Sequence, residues 1–315
     1  MARYVIGRVL QFVLTAALAS VVVFVLMQVL PGNAAQVALG TSATPEAVAA
    51  LEAEYGLDRP RIVQYLSWIG GVLTGDFGTS YVTKAPISPV IFNSIQVTLI
   101  VVLASMALAL AVAVPLGTAA AVLHNRPTGV IISGASQIGI AIPNFLAAII
   151  LVMVFSLGLG WFPSSGWQAP IEGFGGFLER LVLPVTALAL VQAAILTRYV
   201  RSAVLEVMRE DFLRTARAKG LPAGRALVRH GLRNAAIPVV TVAGVQLATL
   251  LIGAVVIEQV FVLPGMGTEL VRAVSNRDLV TVQGIVMVLV VLVLLLNLIV
   301  DLLYSVLDPR VRRAA

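Results

Sequence analysis

Long apolar runs separated by short polar stretches dominate this chain. Six uncharged apolar segments can be drawn, at residues 9–30, 97–123, 130–157, 181–197, 235–257 and 279–300. A helix needs about 20 such residues to cross a hydrocarbon core, so each segment is predicted to span a membrane. The fourth is the shortest. The first is too long for a removed signal peptide, and Pro31 and Gly32 after it offer no small-residue cleavage site, so it reads as a retained span. The predicted fold class is an all-α membrane protein with six transmembrane helices.

The polar stretches carry their own helix signals. Thr44, Pro45 and Glu46 form a helix start, with Thr as N-cap, Pro at the first position and an acid near the positive end. That helix is predicted to reach Tyr55 and stop at Gly56. A second stretch, 61–73, places Ile62, Tyr65, Leu66, Ile69 and Leu73 at helical spacing. Spans two and three are joined only by 124–129 and should pair antiparallel. Pro115 and Gly117 lie in span two, and Pro143 followed by Asn144 in span three, where proline frees a backbone carbonyl and kinks the helix. Trp161, Phe162 and Trp167 suit an aromatic belt at one interface. Between spans four and five, 212–219 favours helix, Gly220 stands where a C′ glycine would close it, and Pro222 sits where a second helix would start.

Composition sharpens this picture. Hydrophobic residues make up 59% of the chain and charged residues 11%, against about 25% charged in a soluble domain. With no cysteine, disulfides and thiolate sites are excluded. The formal net charge of +6 is not a nucleic-acid signal, because the cations are sorted by side. Fifteen of the 21 Lys and Arg fall at the N-terminus, at Arg126, in the 198–236 loop and in the C-terminal tail; six (Arg59, Arg61, Lys84, Arg180, Arg272 and Arg277) fall on the other side. The positive-inside rule makes the richer side cytoplasmic. Both termini are then inside. The expected organisation is a first helix and helical extracytoplasmic loop over 1–96, a five-helix core over 97–307 with the 198–236 loop inside, and a tail over 308–315.

The run RTARAKGL, followed by LRNAAIP, resembles the cytoplasmic signature loop of ABC importer permeases, in particular the dipeptide, oligopeptide and nickel group and its B-type dipeptide subunit. The superfamily signature is Glu-Ala-Ala, three residues, then Gly. Arg214, Thr215 and Ala216 stand at the first three positions and Gly220 at the glycine. The phrases LPGN, YGLDRP, GDFGTSY, EQVFVLPGMG and LLYSVLDPRVR are similar to the same group, so the resemblance covers nearly the whole chain. It implies a type I ABC importer permease fold in the cytoplasmic membrane. It implies that Asp211, Phe212, Arg214, Thr215, Ala216, Lys219, Gly220 and Leu221 form a coupling helix that docks on an ATPase. The implied partners are a second homologous permease, two ATPase subunits or domains that hold ATP and Mg, and an extracytoplasmic binding protein. This chain would bind no cofactor of its own. The implied substrates are di- or oligopeptides, with nickel chelates or glutathione-like peptides as the alternative. From charge alone, the loop also reads as a basic segment that merely obeys topology.

The candidate pathway residues are Pro143 and Asn144 in the third segment, Gln246 in the fifth and Glu258 at the outer end of the fifth. Glu258 has two readings, contact with a substrate amine or a structural pair with a cation such as Arg277. Asp301 is expected to cap or pair near the inner end. Other classes fit poorly. Neither lysine sits in a Gly-Lys-Ser/Thr phosphate loop, so the chain is not its own P-loop ATPase. His124 and His230 lie in separate turns with no further metal ligands nearby. Gly134, Ala135 and Ser136 faintly resemble a rhomboid-type serine site, but no histidine lies in the membrane to act as base. A stand-alone secondary transporter is disfavoured by the scarcity of intramembrane charge.

Overall fold

The computed structural model describes residues 2–29, 39 and 43–307. The LPGN phrase and the 308–315 tail lie outside the described residues. The elements are helices α1 (Ala2–Val29), α2 (Pro45–Tyr55), α3 (Arg61–Thr74), α4 (Ser88–Val122), α5 (Pro127–Ala141) and α6 (Asn144–Leu151), the last running into a π-helical turn (Val152–Gly158). There follow α7 (Phe174–Val207), α8 (Asp211–Ala218), α9 (Ala223–Ala226) with a π turn (Leu227–Gly231), α10 (Leu232–Val260), α11 (Met266–Ser275) and α12 (Leu279–Leu307). Among the described residues the β pairing is one isolated bridge, Thr79 to Pro86.

Among the described residues five helices are long and apolar enough to cross a membrane: α1, α4, α7, α12 and the continuous run Ala223–Val260. The expected third span, 130–157, is instead two helices bent by 100° at Ile142–Pro143, and it brings the count to six only if the pair is taken as one broken span. A kink was expected there and the chain breaks outright. Pro143 disfavours helical backbone at the residue before it, and Ile142 is extended at φ −83°, ψ 121°. Pro143 is itself extended, and its carbonyl accepts from Leu146 N (3.0 Å) and Ala147 N (3.1 Å), which starts α6 afresh. By contrast Pro115, Pro184 and Pro238 sit inside unbroken helices.

The chain divides into two compact units. The first comprises Met1–Arg8, Leu99–Leu263 and Leu296–Ala315. Its centre is α7, whose small residues let neighbours come close, the mode of packing available to helices in lipid. α5, α6 and α10 all pack on it. A Cβ at Gly117 would lie 2.6 Å from Val200 Cβ, and one at Gly139 would lie 2.8 Å from Ala194 Cβ. A Cβ at Gly244 would lie 2.4 Å from Val300, so α10 and the end of α12 meet backbone to side chain. Arg8 pairs with Asp301 at 3.2 Å, which meets the expectation that Asp301 pairs near its helix end.

The second unit comprises Val9–Thr98 and Pro264–Leu295. Its core is Phe77, Ile87, Ile91, Met266 and Ile285. α3 is fastened to α1 by Phe24 against Tyr65 (5.4 Å between centroids) and by a 2.8 Å hydrogen bond between Ser20 Oγ and Tyr65 Oη. The start of α2 is as the sequence predicts: Thr44 Oγ1 accepts from Ala47 N at 3.2 Å, and Gly56 closes the helix at φ 67°. Asp278, which is buried, accepts from Ser80 Oγ and Thr281 Oγ1, both at 2.6 Å, and so ties the 78–87 turn to the start of α12.

Candidate functional site

α8 connects α7 to Ala223–Val260 through one tight turn on each side. Its termination is a Schellman motif: Leu221 N donates to Ala216 O (3.2 Å) and Gly220 N to Arg217 O (2.9 Å), with Gly220 at φ 90°. Nothing lies within 4 Å of a Cβ built at Gly220, so the position demands glycine for its backbone angle and not for space. Pro222 caps α9 one residue before its expected place inside that helix.

The helix has two faces. Leu213 and Ala216 are buried in a cluster with Val200, Ala203, Val204, Leu227, Ala235 and Val239, and Leu221 packs against its edge. Asp211, Phe212, Arg214, Thr215 and Lys219 are exposed. Arg217, not singled out from the sequence, is exposed beside them. Asp211 and Arg214 are 3.4 Å apart but largely solvated, so this pair adds little stability. Of the eight residues expected to make contact, Ala216 therefore anchors the helix from within. The buried face ties α8 to α7, to the π turn and to α10, and through Ala121 to α4.

Among the candidate pathway residues, the break in the third span places Asn144 on the first turn of α6. A Cβ at Gly253 would stand 2.9 Å from Asn144 Nδ2 and 3.3 Å from Leu188 Cδ2, so α6, α7 and α10 converge there. Gln246 is seven residues before Gly253 and so on the same face of α10, about 10 Å along its axis. Glu258, five residues after Gly253, falls about 140° round that helix. It is fully buried, away from that face. The structure thus groups Asn144 with the Gln246 face and sets Glu258 apart; Pro143 is exposed at the break.

Sequence reasoning missed Gln192. It lies one turn from Leu188 on α7 and is 3% exposed, and its Nε2 has no hydrogen-bond partner. Asn144 Oδ1 is likewise buried without a partner. An unpaired buried donor and acceptor are costly in a membrane, which makes both amides candidates for a role beyond packing. The signal was readable as a lone amide in an otherwise apolar segment.

A profile described as "Binding-protein-dependent transport system inner membrane component" matches residues 113–313, and its N-terminal companion matches residues 1–113. The chain belongs to this family. It is a multi-pass membrane permease of the ABC importer class, whose members are membrane subunits without catalytic activity of their own. Among curated relatives it is similar to the oligopeptide transport system permease protein AppB of Bacillus subtilis, at 39% identity over 99% of each chain. It is similar also to the glutathione transport system permease protein GsiC of Salmonella typhi, at 37% identity over 99% of each. Among solved structures it resembles an amino acid ABC transporter, with a TM-score of 0.48 at 14% identity over 71% of this chain and 94% of that one.

Proposed function

We propose that this permease carries short peptides inward across the cytoplasmic membrane, driven by ATP hydrolysis on partner ATPases that dock on α8. The observation that carries the coupling role is the two-faced α8: an exposed polar face, closed by Gly220, on a helix whose other face is locked into α7 and α10. A floppy basic loop would transmit nothing; a packed helix transmits a push. The peptide reading rests on full-length similarity to the oligopeptide and glutathione permeases.

The partners are a second permease of the same kind, two ATPase subunits or domains holding ATP and Mg, and an outer binding protein. Both termini and α8 face the cytoplasm, as the cation count requires. A reporter inserted near Thr79 will then read outside and one after Arg313 inside; both on one side would overturn the arrangement.

Asn144, Gln192 and the Gln246 face line the pathway, where amides meet peptide N–H and C=O groups without selecting side chains. ATP, held by the partner ATPases, must bind one conformation of the assembly better than the other, since a ligand binding both equally shifts nothing. The second reading, a glutathione carrier, is favoured by the Salmonella relative. Competition separates them. Uptake of a labelled tetrapeptide should be blocked by unlabelled di- to pentapeptides and left largely intact by glutathione or nickel. Block by glutathione alone would replace the peptide reading.

A further inference from the structure

The second unit contains a half-open cavity of about 880 Å³, lined by residues from α1 to the 78–84 turn and by the first turns of α12. Its size falls within the usual range for small-ligand sites, roughly 300–1,000 Å³. The pathway described above makes no use of it.

We propose that this cavity is a second substrate site, which holds a short zwitterionic peptide by both of its charged ends. The inference rests on the peptide reading and extends it to a cavity within the second unit. Three independent features of the walls support it.

The first is charge. Glu54 and Asp76 line the cavity together with Arg59 and Lys84. Among the described residues no salt bridge joins these acids to these bases. Neither sign is neutralised by the other on this surface, which is what a molecule with an ammonium at one end and a carboxylate at the other requires. Asp76 Oδ1 accepts from Gly78 N at 2.9 Å, which leaves Glu54 the freer acid.

The second is hydrogen bonding. Trp68 and Gln283 also line the cavity, and Trp68 Nε1 and Gln283 Nε2 are buried donors without partners. An unpaired buried donor calls for explanation, and a bound peptide supplies carbonyl acceptors.

The third is rigidity. Tyr55 and Tyr81 stack at 4.0 Å between centroids, and Lys84 Nζ lies 4.7 Å from the centre of the Tyr55 ring and donates to its hydroxyl. Lys84 sits at φ 59°, a left-handed position that is costly for a side-chain residue. The turn holds it there with Lys84 N to Ser80 O at 3.0 Å and Ser80 N to Ala85 O at 2.9 Å. Backbone outliers kept in place by surrounding bonds concentrate at binding sites. Beneath the turn, buried Asp278 anchors Ser80. Burial of Tyr81, and then the Asp278 charge, push the Tyr81 phenol pKa up, so it stays a neutral hydroxyl.

The chain has three tryptophans. Replacing Trp161 and Trp167 by Phe leaves Trp68, in the cavity wall, as the only indole. The full chain in lipid nanodiscs is titrated with trialanine. A saturable change in Trp68 emission is expected. N-acetyl-trialanine and trialanine amide should each bind about tenfold more weakly or worse, as loss of a charge-assisted contact predicts. Lys84→Ala and Glu54→Gln should weaken trialanine to a similar degree and shrink the penalty for the matching capped peptide. Emission that stays constant up to the concentration at which uptake saturates, or an equal response to free and capped peptides, overturns the proposal. ATP-driven peptide uptake by the complete assembly, measured in parallel, separates the two ideas. Uptake with a silent Trp68 removes the cavity and spares the substrate reading. Loss of uptake removes the substrate reading, whatever Trp68 does.

Discussion

Gly220→Val is expected to abolish ATP-coupled uptake while the chain still inserts into the membrane at normal level. Gly220 sits at φ 90°, where a β-branched side chain is strained, at about 1–3 kcal/mol. No neighbour stands near the added Cβ, so steric collision makes no contribution. The strain is relieved by giving up the Schellman bonds from Gly220 N and Leu221 N, which frees Leu221 from the buried cluster and lets α8 rotate. The spanning helices do not depend on that turn, so insertion survives while the docking face is lost. Gly220→Asn is the control, because asparagine tolerates left-handed backbone. It should retain most of the uptake and most of the ATPase that copurifies with the wild type. Normal uptake and normal ATPase stoichiometry in the valine variant would show that the turn does not carry coupling.

Local chemistry was legible in the sequence wherever it acts within a few residues. The Thr44 cap, the Gly56 stop and the Gly220 turn were all readable, because capping and left-handed backbone depend on residue type at one position. The ends of long helices were not. α7 runs from Phe174 to Val207, well beyond the uncharged 181–197 segment, because the helix continues through Glu179 and Arg180 at one end and through Arg198, Arg201 and Glu206 at the other. Hydropathy measures the membrane, and helices extend past it. The 100° break at Ile142–Pro143 was foreseen as a kink. Whether a proline kinks or breaks a helix depends on what packs beside it. Pro184 and Pro238 stay inside unbroken helices under the same local rule.

The candidate site shows the same division. That α8 exists, and where it ends, came from residue type. That Ala216 points inward while Arg217 points out required the cluster built by α7 and α10. Glu258 drew attention as an intramembrane acid, yet it lies round the helix from the Asn144 side. Gln192 drew none and is buried with an unpartnered donor. One-dimensional polarity cannot say which polar residue faces which neighbour.

On the proposed coupling, this chain does no bond chemistry and is moved by ATPases acting on α8. Purified components in sealed vesicles test it most directly. ATP on the ATPase side, with binding protein and labelled peptide on the other, should drive accumulation against a gradient only when both permeases and both ATPases are present. Omitting the ATPases or ATP should reduce accumulation to the leak of empty vesicles. Neither lysine of the sequence lies in a phosphate-binding loop, so on this proposal the ATP is hydrolysed on the partner subunits. The account predicts all-or-none dependence on the ATPases. Peptide accumulation against a gradient by this polypeptide alone, without ATP, would contradict it and make the chain a secondary transporter.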